Sequence, residues 1–263
     1  MLLDSPPAKL ALGTFYTLGM CQLAMLEKAL GGSDERVRDR TKQWASGLRS
    51  RLGIEVRAEG FDEIDWSKPY IVMANHQSYL DVLALFSALP RTFGVVAKKG
   101  LFDVPFFSGV MRAIGCIPID RADRADAIAM LRSAADQVRG GNTIAVFPEG
   151  TRSGGDCIQP LKRGPFHLAR LAKVPVIPVG IHGTHALMPR SNTGIRSGVI
   201  EIRCGAPMIA PLGSGAKQVA FIEQVRGELG RLAGVPLVPS EPPARTSVAP
   251  PSGAIAAAAD AAE

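Results

Sequence analysis

With 263 residues and 46% hydrophobic content the chain has ample material for a real core, and its length fits either one large domain or two small ones. A formal charge of +6 points to an anionic partner, but three Tyr and two Trp are too few to build stacking platforms for single-stranded nucleic acid, so no nucleic-acid partner is expected. The four cysteines, Cys21, Cys116, Cys157 and Cys204, include no C-x-x-C pair, which argues against a zinc ligand set or a disulfide framework and for a reducing compartment.

Residues 10–26 form a run of seventeen without a charge, LALGTFYTLGMCQLAML, bounded by Lys9 and Glu27. As a helix this run spans about 25 Å, short of the ~30 Å hydrocarbon core of a bilayer. Asp4 and a single lysine precede it and no small-x-small site follows, so it does not read as a secretory signal. After Gly31-Gly32, Ser33 with Asp34 and Glu35 marks a second helix start, and residues 34–51 carry six basic against three acidic side chains. Val37, Thr41, Trp44 and Leu48 fall on one narrow face of that helix. The pair is expected to be a hairpin in the membrane interface, its apolar helix inserted and its basic helix facing anionic headgroups. The alternative is a helix pair packed on a soluble domain.

From about residue 55 to 209 short apolar runs alternate with helical patterns, which argues α/β. Strands are expected at 70–74, 92–97, 116–119, 143–147, 176–181 and 199–204. Ala127, Leu131, Ala134, Ala135 and Val138 stripe a helix between the third and fourth of these. The fold class is therefore a mixed, largely parallel sheet flanked by helices, with the N-terminal hairpin attached. The expected divisions are 1–52 for the hairpin, 53–234 for the α/β domain, and 235–263 for a tail with six prolines and an Ala-rich end that reads as disordered.

Asn75-His76-Gln77-Ser78-Tyr79-Leu80-Asp81 follows the first of these strands and leads into a helix over 78–89. In one helix, residues five apart are rotated by about 140° from each other, so a histidine meant to meet Asp81 has to precede the helix. His76 then sits on a strand-to-helix turn, and a carboxylate folding back from the first turns can hold one imidazole nitrogen protonated, leaving the other to take a proton from a hydroxyl. Taken alone, Asn75, His76 and Ser78 are equally explained as helix-capping residues.

Phe147-Pro148-Glu149-Gly150-Thr151-Arg152-Ser153 follows another strand. Arg152 offers a planar fork matched to phosphate oxygens, Gly150 lets a ligand approach the backbone, Thr151 adds a hydroxyl, and Glu149 accepts hydrogen bonds from ligand hydroxyls. The run is not a P-loop, and a polar turn held by its own Glu-Arg pair is the plain alternative. Lys162 lies shortly after it, and Lys98 and Arg121 lie near two further strand ends; together with Arg152 they suggest a phosphate pocket.

These blocks, in this order, resemble the glycerolipid acyltransferase family, most closely the 1-acyl-sn-glycerol-3-phosphate acyltransferases. NHQSYLD matches the family's His-x-x-x-x-Asp motif, residues 98–121 resemble its second block, FPEGTRS its third, and Val174-Pro175-Val176-Ile177-Pro178-Val179 its fourth, so the likeness runs from about residue 70 to 183. No residue expected to carry chemistry departs from the pattern.

The resemblance implies a membrane-associated enzyme at the cytoplasmic face of a membrane, the bacterial inner membrane being the expected one. It implies acyl transfer from acyl-CoA or acyl carrier protein, as co-substrate, to the sn-2 hydroxyl of lysophosphatidic acid, yielding phosphatidic acid for phospholipid biosynthesis. His76 would be the general base, Asp81 its orienting partner, backbone N–H groups at the helix start the oxyanion donors, and Glu149, Gly150, Thr151, Arg152, Lys98, Arg121 and Lys162 the acceptor site. No metal and no redox cofactor is expected. Three other readings remain: another lyso-lipid acceptor such as a lysophospholipid or lyso-ornithine lipid, an acyl-thioesterase using water at the same pair, and a lipid-binding protein without turnover.

Overall fold

The structure is a computed structural model that describes residues 5–120, 124–191, 194–211 and 215–239, with the backbone alone for 124–128. Among the described residues seven strands form one sheet: β1 (Ile54–Glu59), β2 (Ile71–Ala74), β3 (Phe93–Lys98), β4 (Ile117–Ile119), β5 (Thr143–Val146), β6 (Val176–His182) and β7 (Gly198–Cys204). Their order across the sheet is β1-β7-β6-β2-β5-β3-β4, and every neighbouring pair is parallel except β6 with β7. All six expected strands are present; β1, an edge strand with five of its six residues partly or fully exposed, is an addition to them.

β2 sits at the centre and is buried throughout. Its side chains alternate between two apolar layers, as a strand's period of two requires. Val72 and Ala74 join the layer formed with α1 (Pro6–Ala29), α2 (Asp34–Leu52), α3 (Leu80–Ala88) and α4 (Phe107–Ala113). Ile71 and Met73 join the opposite layer, formed with α5 (Arg124–Arg139), α6 (Arg163–Ala172) and α8 (Ala216–Ala233). The short helix α7 (Thr184–Leu187) follows β6. At Gly180 of β6 a Cβ would lie 2.3 Å from backbone atoms of Leu232 and Ala233, so the end of α8 reaches the sheet only because that position has no side chain.

The N-terminal helices form the expected hairpin, and they are packed on the sheet layer rather than standing apart from it. Val37, Thr41, Ala45 and Leu48 of α2 are buried, with Trp44 half-buried beside them and edge-on to Phe86 of α3. One face of α1, with Gly13, Cys21 and Ala24, turns inward. Its other face exposes Phe15 (74%), Leu18, Leu23 and Leu26 (58%). Among the described residues no helix is long and apolar enough to cross a membrane. The start of the expected tail is also ordered: Val235 N–H donates to Gly230 O, and Ile158 and Val238 exchange backbone hydrogen bonds with the 236–238 segment and Ile158 respectively. Residues 240–263 lie outside the described residues.

Candidate active site

The C-terminal ends of three adjacent parallel strands, β6, β2 and β5, converge at one edge, which is where open α/β sheets bind their ligands. Asn75 ties two of these ends together: its Nδ2 donates to Ile181 O (2.8 Å) and its Oδ1 accepts from Ile181 N–H (2.7 Å). A buried amide that satisfies both sides of itself on the backbone of one residue locks the strand exits in register.

His76 follows, outside α3, and Asp81 lies in the first turn of that helix. His76 Nδ1 is 2.7 Å from Asp81 Oδ2. The same carboxylate oxygen accepts from the backbone N–H groups of Gln77 (2.7 Å) and Ser78 (2.9 Å), while Oδ1 accepts from the Thr184 hydroxyl (2.5 Å). Asp81 and Thr184 are fully buried, and the His76 side chain keeps 18% of its surface. Asp81 Oδ2 is the acceptor in all three of its contacts, so Nδ1 is the ring nitrogen that donates and Nε2 is left as the acceptor. The Phe147 ring stacks on the imidazole with centroids 4.0 Å apart and restricts its tilt.

This arrangement changes one expectation. The N–H groups of Gln77 and Ser78 are spent on Asp81, that of Leu80 on Ser78 Oγ (3.3 Å), and that of Asp81 on Ser78 O (3.3 Å). These four amides are engaged within the turn and are not oxyanion donors; the amide of Tyr79 is not one of them.

Glu149 is 2% exposed, and both of its oxygens are occupied: Oε1 accepts from His76 N–H (2.7 Å) and Oε2 from Gln159 N–H (3.0 Å). Burial pushes its carboxyl above the usual glutamate range, opposed by those two amides. From the sequence Glu149 is expected to accept from ligand hydroxyls; the contacts it makes here hold the loop to His76 and Gln159. Gly150 turns the loop in a left-handed conformation, φ 77°, a position that strains any residue with a Cβ. Ser153 N–H donates to His76 O (2.7 Å), closing the loop against the histidine.

Arg152 stands over the Tyr79 ring, its guanidinium carbon 4.0 Å from the centroid, and its Nη1 is buried without a hydrogen-bond partner. A buried unpartnered guanidinium nitrogen is costly, and an anionic ligand would satisfy it. Thr151 is exposed on the same loop. Lys98 ends β3 and Lys162 precedes α6; both are exposed, and neither has a hydrogen bond, ion pair or ring contact with His76 or Arg152 among the described residues. Arg121 lies outside the described residues. Among those residues no group of three or more His, Cys, Asp or Glu comes together as a metal site.

An apolar cavity of about 280 Å³, partly open to the surface, lies between the hairpin and the sheet and is lined by Tyr79, Val95, Phe86, Met111, Cys116, Cys21 and Val37 among others. Burial pushes the Cys21 and Cys116 thiols up to about 11, so both behave as neutral apolar lining.

Residues 55–182 match the family model described as Acyltransferase. This domain belongs to the acyltransferase family. The 1-acyl-sn-glycerol-3-phosphate acyltransferase of Saccharomyces cerevisiae is 34% identical over 185 residues, 69% of this chain and 61% of that protein. The alpha form from Homo sapiens is 33% identical over 162 residues, 61% of this chain and 57% of that protein. The chain thus spans about three fifths of the length of these two relatives. The crystal structure of the 1-acyl-sn-glycerophosphate (LPA) acyltransferase PlsC from Thermotoga maritima superposes with a TM-score of 0.67 at 27% identity, covering 83% of this chain and 88% of that one. The mixed fold with its N-terminal helices is therefore shared with an acyltransferase of known structure.

Sequence reasoning missed Thr184, Tyr79 and Phe147 as site residues. Thr184 had one usable signal: it lies just past the third strand end at the same sheet edge.

Proposed function

We propose that this protein transfers a fatty acyl group from an acyl thioester, on coenzyme A or acyl carrier protein, to the sn-2 hydroxyl of lysophosphatidic acid. The observation that carries the reading is the 2.7 Å pairing of His76 Nδ1 with a buried, four-fold hydrogen-bonded Asp81, on the same loop as the ring that carries Arg152. His76 Nε2 takes the proton of the acceptor hydroxyl as its oxygen attacks the thioester carbonyl. The tetrahedral intermediate collapses with cleavage of the C–S bond, and the departing thiolate takes the proton back from the imidazolium. Asp81 stabilises that imidazolium through the charge-assisted bond at Nδ1.

Arg152 holds the acceptor phosphate, and the apolar cavity lined by Tyr79 takes the donor's acyl chain. Orientation is the larger part of the help this binding supplies. The outward apolar face of α1 lies in the bilayer interface, where Phe15, Leu18, Leu23 and Leu26 leave water. The activities for which the relatives are named support this acceptor.

The test is acyl transfer by purified protein in phospholipid vesicles, read by mass spectrometry of the products. His76→Ala should abolish phosphatidic acid formation while vesicle binding persists; near-wild-type turnover sinks the assignment. Arg152→Ala should weaken use of lysophosphatidic acid more than use of monoacylglycerol, and equal losses remove Arg152 from phosphate recognition. Release of free fatty acid with no lipid product would favour the thioesterase reading.

A further inference from the structure

A second apolar groove, of about 320 Å³, lies farther along the hairpin from the first cavity, toward the start of α1 and the end of α2. Leu10, Gly13, Leu18, Leu48, Val104 and Ile195 belong to its lining alone. Thr17, Trp44, Tyr79, Leu101 and Phe107 line both spaces. The wall between them is fixed: Trp44 Nε1 donates to Thr17 Oγ1 (3.0 Å), and that hydroxyl donates to Gly13 O (2.8 Å).

The two spaces differ in access. Cys21, Val37, Phe86, Val95, Met111 and Cys116 of the first are all buried. Tyr79 (54% exposed) and Leu101 (40%) line both, and the second alone adds Leu18 (38%) and Val104 (37%) to its rim, so it is the more open of the two. Leu18 also belongs to the outward apolar face of α1, which makes the rim continuous with the surface that lies against lipid.

We propose that the open groove seats the acyl chain that the acceptor already carries, so that the two chains of the reaction occupy separate grooves divided by Trp44 and Thr17. This rests on the acyl-transfer reading above. Tyr79 joins the acceptor's two halves: its ring closes the groove and carries the guanidinium of Arg152 4.0 Å from its centroid. A single-chain amphiphile with an anionic head spans that ring, chain in the groove and phosphate on Arg152. Such a lipid resides in the bilayer, and a groove rimmed by lipid-facing residues admits its chain sideways without exposing it to water. The donor's chain arrives on a water-soluble carrier and takes the more closed of the two spaces. The sn-2 hydroxyl is then held between the two, at the loop that presents His76 three residues before Tyr79.

The experiment uses the full chain in vesicles with palmitoyl and hexanoyl lysophosphatidic acid as acceptors, and with a series of acyl-CoA chain lengths as donors. Val104→Phe fills the groove from its exposed rim. Gly13→Leu fills it from α1, where a Cβ would stand in ordinary contact, 3.6–3.9 Å, with Leu48, Ile195 and Leu52. Both variants should raise KM for the palmitoyl acceptor by about tenfold, the equivalent of about two excluded methylenes, and leave the hexanoyl acceptor and the donor-length profile unchanged. A shift of the donor profile with the acceptor unaffected overturns the assignment, because the groove then takes the donor chain. Unchanged kinetics on every substrate with Val104→Phe also overturns it, because the groove then seats no chain. A wild-type protein inactive on both acceptors would refute the acyl-transfer reading itself, and that result is read in the arm without any variant.

Discussion

Thr184 is the residue whose removal best tests how the dyad is built. Its hydroxyl is the side-chain donor to Asp81 Oδ1, at 2.5 Å, and both residues are 0% exposed, so water does not replace the bond. Thr184→Val keeps the shape and deletes the donor, leaving one oxygen of a buried carboxylate unsatisfied at a cost of about 2 kcal/mol. For a chain of this size that lowers the unfolding midpoint by roughly 4–8 °C. Asp81 then keeps its three donors on Oδ2 but loses the bond that fixes its rotation, so the His76 ring is held less well. A loss of about tenfold in kcat corresponds to about 1.4 kcal/mol of lost transition-state stabilisation. KM for both substrates should be unchanged, because Thr184 touches neither. Thr184→Ser restores the donor and should recover both midpoint and kcat. Differential scanning calorimetry and steady-state acyl transfer in vesicles read the two effects. If the midpoint falls in Thr184→Val while kcat stays at the wild-type value, Thr184 is only a packing residue, and equal behaviour of the Val and Ser variants refutes the hydrogen-bond argument altogether.

Asp81→Asn should leave the fold nearly intact, since an amide oxygen can meet His76, Gln77 and Ser78 while the Thr184 hydroxyl turns to accept from the amide nitrogen. The lost charge should lower kcat by at least about tenfold, as expected when a charged hydrogen bond worth about 1.5–3 kcal/mol to the imidazolium is removed, and turnover within a factor of two of wild type would contradict the dyad. Glu149 has a raised folded pKa, so the folded state binds its proton more tightly than the unfolded chain does. Its contribution to stability is present at low pH and declines as pH rises from the usual glutamate value to the raised one. The stability advantage of wild type over Glu149→Gln should therefore narrow across that window in urea titrations, and a gap that widens contradicts the assignment of burial as the leading cause. On the hairpin, Phe15→Asp with Leu26→Asp alters two side chains that are 74% and 58% exposed, so the fold should be spared. Co-sedimentation with anionic vesicles should drop by at least about a hundredfold in partition coefficient, from about 1.5–3 kcal/mol per large apolar side chain, and undiminished binding would move the membrane contact elsewhere.

What was legible in the chain follows from which partners are side chains and which are peptides. The interval from His76 to Asp81 was readable because two side chains of complementary chemistry, five apart, can meet only across a helix start. β2, β5 and β6 were readable because their apolar runs are buried on both faces, and β7 because Ile200 and Ile202 alternate with Glu201 and Arg203, whereas β1, an edge strand paired only with β7, leaves most of its residues exposed and shows no long apolar run. Asp81's grip on the amides of Gln77 and Ser78, and Glu149's on those of His76 and Gln159, have no residue-type signature, because a peptide N–H is the same at every position. Thr184 was hidden for a different reason: it is 103 residues from Asp81, and only the placing of β6 beside β2 brings them together. The same logic explains why the hairpin was read half correctly. Val37, Thr41 and Leu48 mark a face that must be covered, but the sequence does not say by what, and the structure covers it with the sheet layer while leaving the apolar outer face of α1 for another phase. A loop of this kind is held from below by carboxylates bound to backbone, so the side chains to which the proposal gives the substrate, His76 and Arg152, are the ones the sequence can announce, and those that position them come into view only with the fold.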